Sequence, residues 1–123
     1  MKTRLLTKFA VFFFLIASLT YSQGYLAVAE KMPVMKGGMK ALYSKIKYPR
    51  IAKDAGVQGK VYLLMYINES GKVDKVECVK GIGAGCDEAA KEAALKLQFS
   101  PAQHKGAKVK VKMAIAVTFR LEK

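Results

Sequence analysis

The sequence contains few of the residues from which catalytic and metal sites are built. Its 123 residues include one histidine, two cysteines and nine acidic residues. Cys78 and Cys86 do not form a Cys-x-x-Cys redox pair, and no metal-ligand spacing joins them to His104. Ser70 and Ser100 lie in turn contexts, without the sharp strand-to-helix turn of a nucleophilic serine. We therefore expect no enzyme activity, no cofactor and no metal site.

The shortage of acidic residues leaves the chain strongly basic. Its 22 lysines and arginines give a formal net charge of +13. In a cytoplasmic protein this charge would indicate nucleic-acid binding, but the sequence lacks the stacking-aromatic motif of an RNA-binding sheet. For an exported protein the charge favours acidic peptide segments, anionic lipid headgroups or cell-wall polymer as partners. Lysines that only keep the surface soluble are the alternative.

The N-terminal apolar run is too short for a comfortable membrane span, which needs roughly 20 residues. It extends from Phe9 to Leu19 and follows three basic residues, Lys2, Arg4 and Lys8. A basic stretch, a short apolar run and then small residues form the pattern of an export signal. Removal of the three basic residues would leave a net charge of 13 − 3 = +10.

Two cleavage positions and one uncleaved form are compatible with this pattern. We expect residues 1–22 to be a signal peptide, with residues 23–31 as a short lead-in and residues 32–123 as the domain. Ala27-Val28-Ala29 is a second cleavage motif, farther from the apolar run. An uncleaved anchor from about Phe9 to Ala29 is the alternative, and neither cleavage position has a lipobox cysteine. In each case the domain lies outside the cytoplasm.

Export leaves two interpretations of the cysteines. An exported domain permits a disulfide between Cys78 and Cys86. Both could equally be buried thiols, because free cysteine behaves as a small hydrophobic residue.

The most regular pattern in the chain lies near its C-terminus. From Lys108 to Leu121 every odd position is apolar, and the even positions are charged at both ends and small in the middle. Side chains alternate across a strand, so this pattern predicts one long β-strand with a core face.

The remaining elements follow from periodicity and turn residues. Apolar residues at i, i+3, i+4 and i+7 predict a short helix after the Gly37-Gly38 break, and Pro49 to Gly56 suits a second one. The later elements are a hairpin with strands Val57–Asn68 and Lys72–Lys80, a helix beginning near Cys86 or Asp87, and a loop at Gln103–Ala107. We predict an α+β fold: a three-stranded antiparallel sheet in the order second–first–last, with two helices on one face and the last strand at a free edge.

The glycine-rich loop Gly81–Gly85 follows a strand and precedes a helix, as a phosphate-binding loop does. Position 86 is Cys86 instead of the glycine or alanine of the dinucleotide pattern, and Asp87 and Glu88 would repel a phosphate at the helix N-terminus. We expect the glycines to form a tight turn with positive φ, and Asp87 to cap the helix.

Several segments, in this order, resemble the C-terminal domain of the TonB family. They are Lys47-Tyr48-Pro49, Gly56-Val57-Gln58-Gly59-Lys60-Val61, Gly71-Lys72-Val73, Gly85-Cys86-Asp87-Glu88-Ala89-Ala90, Phe99-Ser100-Pro101-Ala102 and the last strand ending Phe119-Arg120-Leu121. Met32-Pro33-Val34-Met35-Lys36-Gly37-Gly38 resembles the Pro-x-x-x-Gly-Gly lead-in of the Bacteroidetes-like branch of that family. The resemblance covers about residues 32 to 121.

The resemblance implies a periplasmic module that binds the TonB box, an extended segment of an outer-membrane transporter, by adding it as a strand to the last strand of the sheet. It implies a role in energy-dependent uptake of siderophore-type or vitamin-type nutrients. Carried onto this chain, the partner-binding residues are Lys45, Lys47, Tyr48, Ile115, Ala116, Val117, Thr118, Phe119, Arg120 and Leu121.

The chain departs from the family pattern near its N-terminus. The apolar run contains no histidine, and no long linker follows it before the domain. Family members that transduce energy use a membrane helix to meet the ExbB–ExbD motor, so we expect this partner only if the chain is anchored. A module that binds a transporter without energising it is therefore expected. The alternative is an exported scaffold or homodimer that pairs through the last strand.

Overall fold

The computed structural model describes residues 24–121 as an α+β fold, as predicted. The elements are α1 (Gly38–Lys45), α2 (Arg50–Ala55), β1 (Gly59–Ile67), β2 (Val73–Lys80), α3 (Cys86–Leu95), β3 (Ala102–His104), β4 (Ala107–Val109) and β5 (Val111–Phe119). The proposed signal peptide, residues 1–22, lies outside the described residues. Within residues 24–121, none of the helices combines the length and the apolar character that crossing a bilayer requires.

The main sheet is antiparallel and has the order β2–β1–β5, which confirms the predicted second–first–last arrangement. β1 and β5 pair in a constant register from Gly59 opposite Phe119 to Ile67 opposite Val111. The β1–β2 hairpin is less regular and contains two register shifts. Its turn is held by the Asn68 side chain, whose carbonyl oxygen accepts hydrogen bonds from the Ser70 and Lys72 amides at 2.9 and 3.1 Å. An asparagine that bonds the backbone ahead of it in this way is a standard turn former.

Alternation along β1 places the core on one face of the sheet. Val61, Leu63, Met65 and Ile67 are fully buried, because every second side chain of a strand points to the same face. α3 packs on this face through its alanines, of which Ala90, Ala93 and Ala94 are buried. Small side chains allow a helix axis to approach the sheet closely, so the core fits within a short chain.

The last strand is divided, and the prediction of one strand over residues 108–121 is wrong in this respect. β4 pairs with β3, with Ala102 opposite Val109, and β5 pairs with β1. Lys110 lies between the two pairings, and the predicted loop at 103–107 is mostly a hairpin with a turn at Lys105 and Gly106. Alternation of side chains continues through such a change of partner, so the pattern in the sequence does not reveal it.

The glycine-rich loop before α3 is a tight turn, as predicted. Gly83 and Gly85 have φ values of 77° and 83°. The predicted capping role of Asp87 is wrong, because Gly85 occupies the N-cap position and no side chain bonds there. The Asp87 carboxylate instead accepts hydrogen bonds from the Ile82 and Gly83 amides, at 2.9 and 3.4 Å. A carboxylate therefore occupies the amides that a bound phosphate would need.

Phe99 lies at the centre of the core and also holds the β1–β2 turn. Its side chain is fully buried, and its amide donates a hydrogen bond to the Gly71 carbonyl at 2.8 Å. Gly71 has φ 83°, and a Cβ at this position would collide with the Phe99 carbonyl. The turn and the segment after α3 are therefore packed directly against each other.

We predict that Phe99→Ala lowers the free energy of unfolding by about 3–5 kcal/mol, the usual cost of removing a buried aromatic side chain. Chemical denaturation followed by circular dichroism measures this change. Ile51→Ala is the control, because Ile51 is 73% exposed and should change stability by less than about 0.5 kcal/mol. Equal effects of the two substitutions would contradict this description of the core.

Candidate functional site

The outer edge of β5 is one of the two edges of the main sheet, and β2 forms the other. β1 pairs with β5 on one side, and no further strand of the described residues extends the sheet on the other side. This confirms the predicted position of the last strand. The even-numbered residues of β5, Lys112, Ala114, Ala116 and Thr118, are exposed, whereas Val111, Val117 and Phe119 are buried.

Three hydrogen bonds show which backbone groups of β5 point away from β1. The Lys112 amide donates to the Leu26 carbonyl at 3.0 Å, and the Leu26 amide donates to the Lys110 carbonyl at 2.9 Å. The Thr118 amide donates to the Tyr43 hydroxyl at 3.0 Å. In an antiparallel pair the backbone groups alternate between facing the partner and facing away.

Because the β1–β5 register is constant, Ala114 and Ala116 also direct their backbone groups outward. Each contributes an amide and a carbonyl, and none of these groups has a hydrogen-bond partner among residues 24–121. We call the outward backbone groups of Ala114 and Ala116 the open edge. Leu26 closes one end of the open edge, and Tyr43 closes the other.

Leu26 belongs to the lead-in segment, which packs against the domain. The adjacent Tyr25 ring packs edge-on against Tyr66, with the ring centroids 5.1 Å apart. The Tyr25 hydroxyl donates a hydrogen bond to the Asp74 carboxylate at 2.9 Å, and desolvation together with this acidic neighbour raises the pKa of Tyr25. Ala29 is buried in the core. Cleavage after Ala29 would thus remove Leu26 from β5.

Tyr43 lies on α1 and extends to the edge of the sheet. The sequence pattern placed it with Met39, Leu42 and Ile46 on an apolar helix face, but only Leu42 is fully buried. Tyr43 is 41% exposed, which leaves its hydroxyl free to reach the Thr118 amide. Neither Tyr43 nor Leu26 was predicted from the sequence to be a functional residue. The sequence signal that could have identified Tyr43 is its type and position: it is an aromatic residue with a hydroxyl group, at the margin of the apolar face of α1.

Tyr48 lies near the C-terminal end of β5, together with three of the other residues proposed from the sequence, Phe119, Arg120 and Leu121. Its ring packs edge-on against Phe119, at a centroid distance of 5.4 Å, and its hydroxyl donates to the Val57 carbonyl. Desolvation raises the pKa of Tyr48, so its hydroxyl remains a neutral donor. Tyr48, Lys53, Arg120 and Leu121 line one surface pocket of about 420 Å³.

The other proposed residues fall into two groups. Lys45 ends α1 and Lys47 lies in the connection to α2, and both are exposed. Neither forms an ion pair within residues 24–121. On β5, Ile115 faces the core side and is partly buried, whereas Arg120 just beyond the strand is exposed. The Leu121 amide donates to the Gln58 side chain at 2.8 Å, which extends the attachment to β1 beyond Phe119.

The two cysteines are free thiols. Cys86 is fully buried and Cys78 is partly buried. Burial raises the pKa of both thiols, and the negative charge of Asp87 acts in the same direction. A raised pKa lowers the fraction of reactive thiolate at neutral pH, so it slows the reactions of both thiols.

His104 is engaged with the backbone, since its Nδ1 accepts a hydrogen bond from the Glu30 amide at 3.3 Å. Among residues 24–121, no group of three or more histidine, cysteine or acidic side chains is placed to hold a metal ion.

One family model matches most of the described residues. Residues 44–121 match the profile of the family described as Gram-negative bacterial TonB protein C-terminal. The solution structure of the Pseudomonas aeruginosa TonB C-terminal domain is similar in fold, with 24% identity over 81% of this chain and 95% of that chain and a TM-score of 0.56. A Helicobacter pylori TonB C-terminal domain shares 27% identity over 68% of this chain and 78% of that chain, with a TM-score of 0.46. No curated protein matches the chain significantly.

We predict that an excess of a thiol reagent modifies Cys78 in the folded protein, and that Cys86 reacts on the order of a hundredfold more slowly, because it becomes accessible only through unfolding. Mass spectrometry of the labelled protein measures both rates. Cys78→Ser and Cys86→Ser assign them, and both thiols should react in denaturant. If neither thiol reacts in protein that is denatured without a reducing agent, the two cysteines form a disulfide and the prediction is wrong.

Proposed function

Because the chain belongs to the family of Gram-negative bacterial TonB protein C-terminal domains, we propose that it binds the TonB box of an outer-membrane transporter by strand addition. The family is periplasmic and acts through protein interaction, not catalysis. The proposed contact is the open edge on β5, with Lys45, Lys47 and Tyr48 beside it. The observation that supports this most strongly is the pair of outward amides and carbonyls at Ala114 and Ala116.

An added strand would complete the hydrogen bonding of these groups. Two residues with one donor and one acceptor each offer four backbone hydrogen bonds, and each contributes about 0.5–1.5 kcal/mol net. The loss of rotational and translational freedom on binding costs a comparable free energy. We therefore expect dissociation constants in the micromolar range or weaker, which suits a contact that forms and breaks repeatedly.

The surroundings of the open edge favour a short, acidic partner segment. Leu26 occupies the Lys110 carbonyl and the Lys112 amide at the start of β5, and Tyr43 occupies the Thr118 amide. The net charge of +10 that remains without Lys2, Arg4 and Lys8, 13 − 3, attracts acidic segments over several ångströms and accelerates their encounter.

We also propose that the module acts in the periplasm. Export through residues 1–22 would deliver the module to the periplasm, where it would support uptake of siderophore-type or vitamin-type nutrients. Contact with ExbB–ExbD is proposed only for an anchored form of the chain.

Pairing of two copies through β5 is the alternative role for the same edge. A two-fold axis at Ile115 would align two β5 strands antiparallel, so the Leu26 segment of one copy would approach Tyr43 of the other. This crowding favours a peptide over a second copy of the domain. Sedimentation of the folded protein tests this directly, since a tight dimer would compete with the peptide.

We predict that Ala116→Pro weakens peptide binding while the domain remains folded. Proline lacks the amide donor, and Pro is tolerated on an edge strand where that donor faces away from the sheet. The loss should be at least about tenfold in affinity, the equivalent of about 1.4 kcal/mol. Fluorescence anisotropy with a labelled TonB-box peptide measures it.

Ala116→Ser is the matched control, because serine keeps the amide and has a similar volume. It should bind the peptide as the unsubstituted protein does. Equal binding by Ala116→Pro and Ala116→Ser, or no binding to the folded unsubstituted protein at millimolar peptide, would argue against strand addition here.

We also predict that Tyr43→Phe strengthens binding of a peptide long enough to reach Thr118. Removal of the hydroxyl leaves the Thr118 amide without its acceptor, and the peptide can supply one. A gain of about two- to tenfold corresponds to one hydrogen bond. Isothermal titration calorimetry compares the two proteins. A shorter peptide that ends before Thr118 should bind both equally, whereas weaker binding of the long peptide to Tyr43→Phe would mean that the hydroxyl itself holds the partner.

A further inference from the structure

The lead-in segment presents three consecutive apolar residues to solvent at the start of β5. Leu26 is 38% exposed, and Val28, at 77%, is the most exposed large apolar side chain of residues 24–121. Ala27 between them is also exposed. A single exposed apolar residue is ordinary on a protein surface. A continuous apolar stretch of the chain in water indicates a surface that another apolar phase could cover.

The backbone on both sides of this apolar stretch is attached to the domain. The Leu26 amide bonds to the Lys110 carbonyl at its start. At its end Ala29 is buried in the core, and Lys31 exchanges two backbone hydrogen bonds with Gln103, each 2.9 Å long. Leu26, Ala27 and Val28 are therefore held on the surface of the folded domain.

Lysines of the β3–β4 hairpin and of the segment that follows it lie beside the apolar stretch. Leu26 lines a surface pocket of about 430 Å³ together with Lys105, Lys108 and Lys110. Lys105 and Lys108 are exposed, and neither forms an ion pair within the described part of the chain. We call Leu26, Ala27, Val28, Lys105, Lys108 and Lys110 the lead-in surface.

The lead-in surface remains positive despite two acidic neighbours. Glu69 lines the same pocket and approaches Lys110 at 4.0 Å. Glu30 lies in the lead-in segment, where its amide bonds to the His104 side chain. The lysines of these segments outnumber the two carboxylates; they are Lys31, Lys105, Lys108, Lys110 and Lys112.

We propose that the lead-in surface binds the surface of a bilayer that contains anionic phospholipids. The apolar side chains enter the boundary between headgroups and acyl chains, while the lysines contact the headgroup phosphates. Long lysine side chains can reach the headgroups while their stems cover apolar surface. This inference does not depend on strand addition, because the backbone groups of Ala114 and Ala116 take no part in it.

The chain that precedes the lead-in surface favours a bilayer over an acidic polypeptide as its partner. Residues 20–23 alone separate the apolar run of residues 9–19 from Gly24, which lines the pocket. Four residues span at most about 14 Å, so a chain with its apolar run inserted in a membrane carries the lead-in surface to that membrane. In a chain cleaved before Gln23, a positive α-amino group one residue before Gly24 adds to the attraction.

Binding of this kind is reversible and depends on salt. A few apolar side chains alone bind a bilayer weakly, and each lysine near an anionic surface strengthens partitioning about fivefold. Salt screens the attraction of the lysines, so raised salt should weaken binding.

The chain contains no tryptophan, so a single introduced tryptophan reports the surroundings of one position. In the full chain, the fluorescence of Val28→Trp should shift to shorter wavelength with vesicles of equal parts phosphatidylglycerol and phosphatidylcholine. It should not shift with vesicles of phosphatidylcholine alone. Val79→Trp is the matched control, because Val79 is 68% exposed and lies near the far end of β2. Its emission should not change with either vesicle.

Charge reversal in the Val28→Trp chain tests the lysines. Lys105→Glu combined with Lys108→Glu should lower the vesicle partition coefficient at least about 25-fold, the effect of two lysine contacts. Lys60→Glu combined with Lys80→Glu is the matched control, because it changes the net charge equally. Lys60 pairs with Thr118, which lies about 20 Å along β5 from Lys112. This distance exceeds the Debye length of about 10 Å, so the control should change partitioning less than about threefold.

A second pair of substitutions covers the case in which the two glutamates disturb the hairpin. Lys105 has φ 52°, a conformation that asparagine adopts more readily than lysine. Lys105→Asn combined with Lys108→Gln therefore keeps the turn and removes both charges, and it should weaken partitioning at least about tenfold. Circular dichroism confirms that each variant is folded.

Absence of a shift for Val28→Trp with anionic vesicles would overturn the proposal, as would an equal shift with phosphatidylcholine alone. Equal losses in the two glutamate variants would mean that net charge or residues 1–22 bind the vesicles, and would also overturn it. An equal shift with soluble poly-glutamate would identify an acidic polypeptide as the partner instead of a bilayer. None of these results would alter the proposed peptide binding by β5, which the Ala116→Pro variant tests separately.

Discussion

The antiparallel pairing of β1 with β5 is the constraint on which the rest of the structure depends. Each strand has nine residues, and their register does not shift from one end to the other. Along a strand, side chains alternate between the two faces of the sheet, and backbone groups alternate between its two edges. Because the register does not shift, both alternations continue unchanged along the whole of β5. The same ladder therefore places Leu63 and Val117 in the core, opens the backbone of Ala114 and Ala116, and sets these alanines beside Tyr62 and Leu64.

Two contacts from outside the sheet limit how much of that edge is available. Leu26 forms backbone hydrogen bonds, while Tyr43 contributes only a side-chain hydroxyl. A long unprotected edge strand promotes uncontrolled pairing with other chains, and these contacts shorten it. Tyr43 is partly exposed and can rotate away without disturbing the core, whereas displacement of Leu26 would also disturb the packing of Tyr25 on Tyr66. A partner would therefore displace Tyr43 from one end of the open edge more readily than Leu26 from the other.

Much of the fold was predictable because its signals are local. Gly56 ends α2 with φ 69° as predicted, and the Asn68 turn joins the two strands of the hairpin. Predictions were wrong where a residue or strand had two possible partners, either for a hydrogen bond or for strand pairing. Asp87 was expected to cap α3 but bonds the preceding loop, since both sets of amides lie within its reach. The alternation through residues 108–121 did not reveal the change of partner at Lys110, because a strand that leaves one hairpin and joins another sheet keeps the same side-chain period.

By itself, the sequence determined the helices, the β1–β2 hairpin and the core faces of β1 and β5, because periodicity and turn chemistry act over a few residues. It also indicated that β5 would lie at an edge. Only the tertiary structure decided which part of that edge stays open, because the groups that close it come from distant positions: Tyr43 is 75 residues from Thr118. It likewise decided which side chains lie beside Ala114 and Ala116, since only the β1–β5 register brings Leu64 and Tyr62 opposite them.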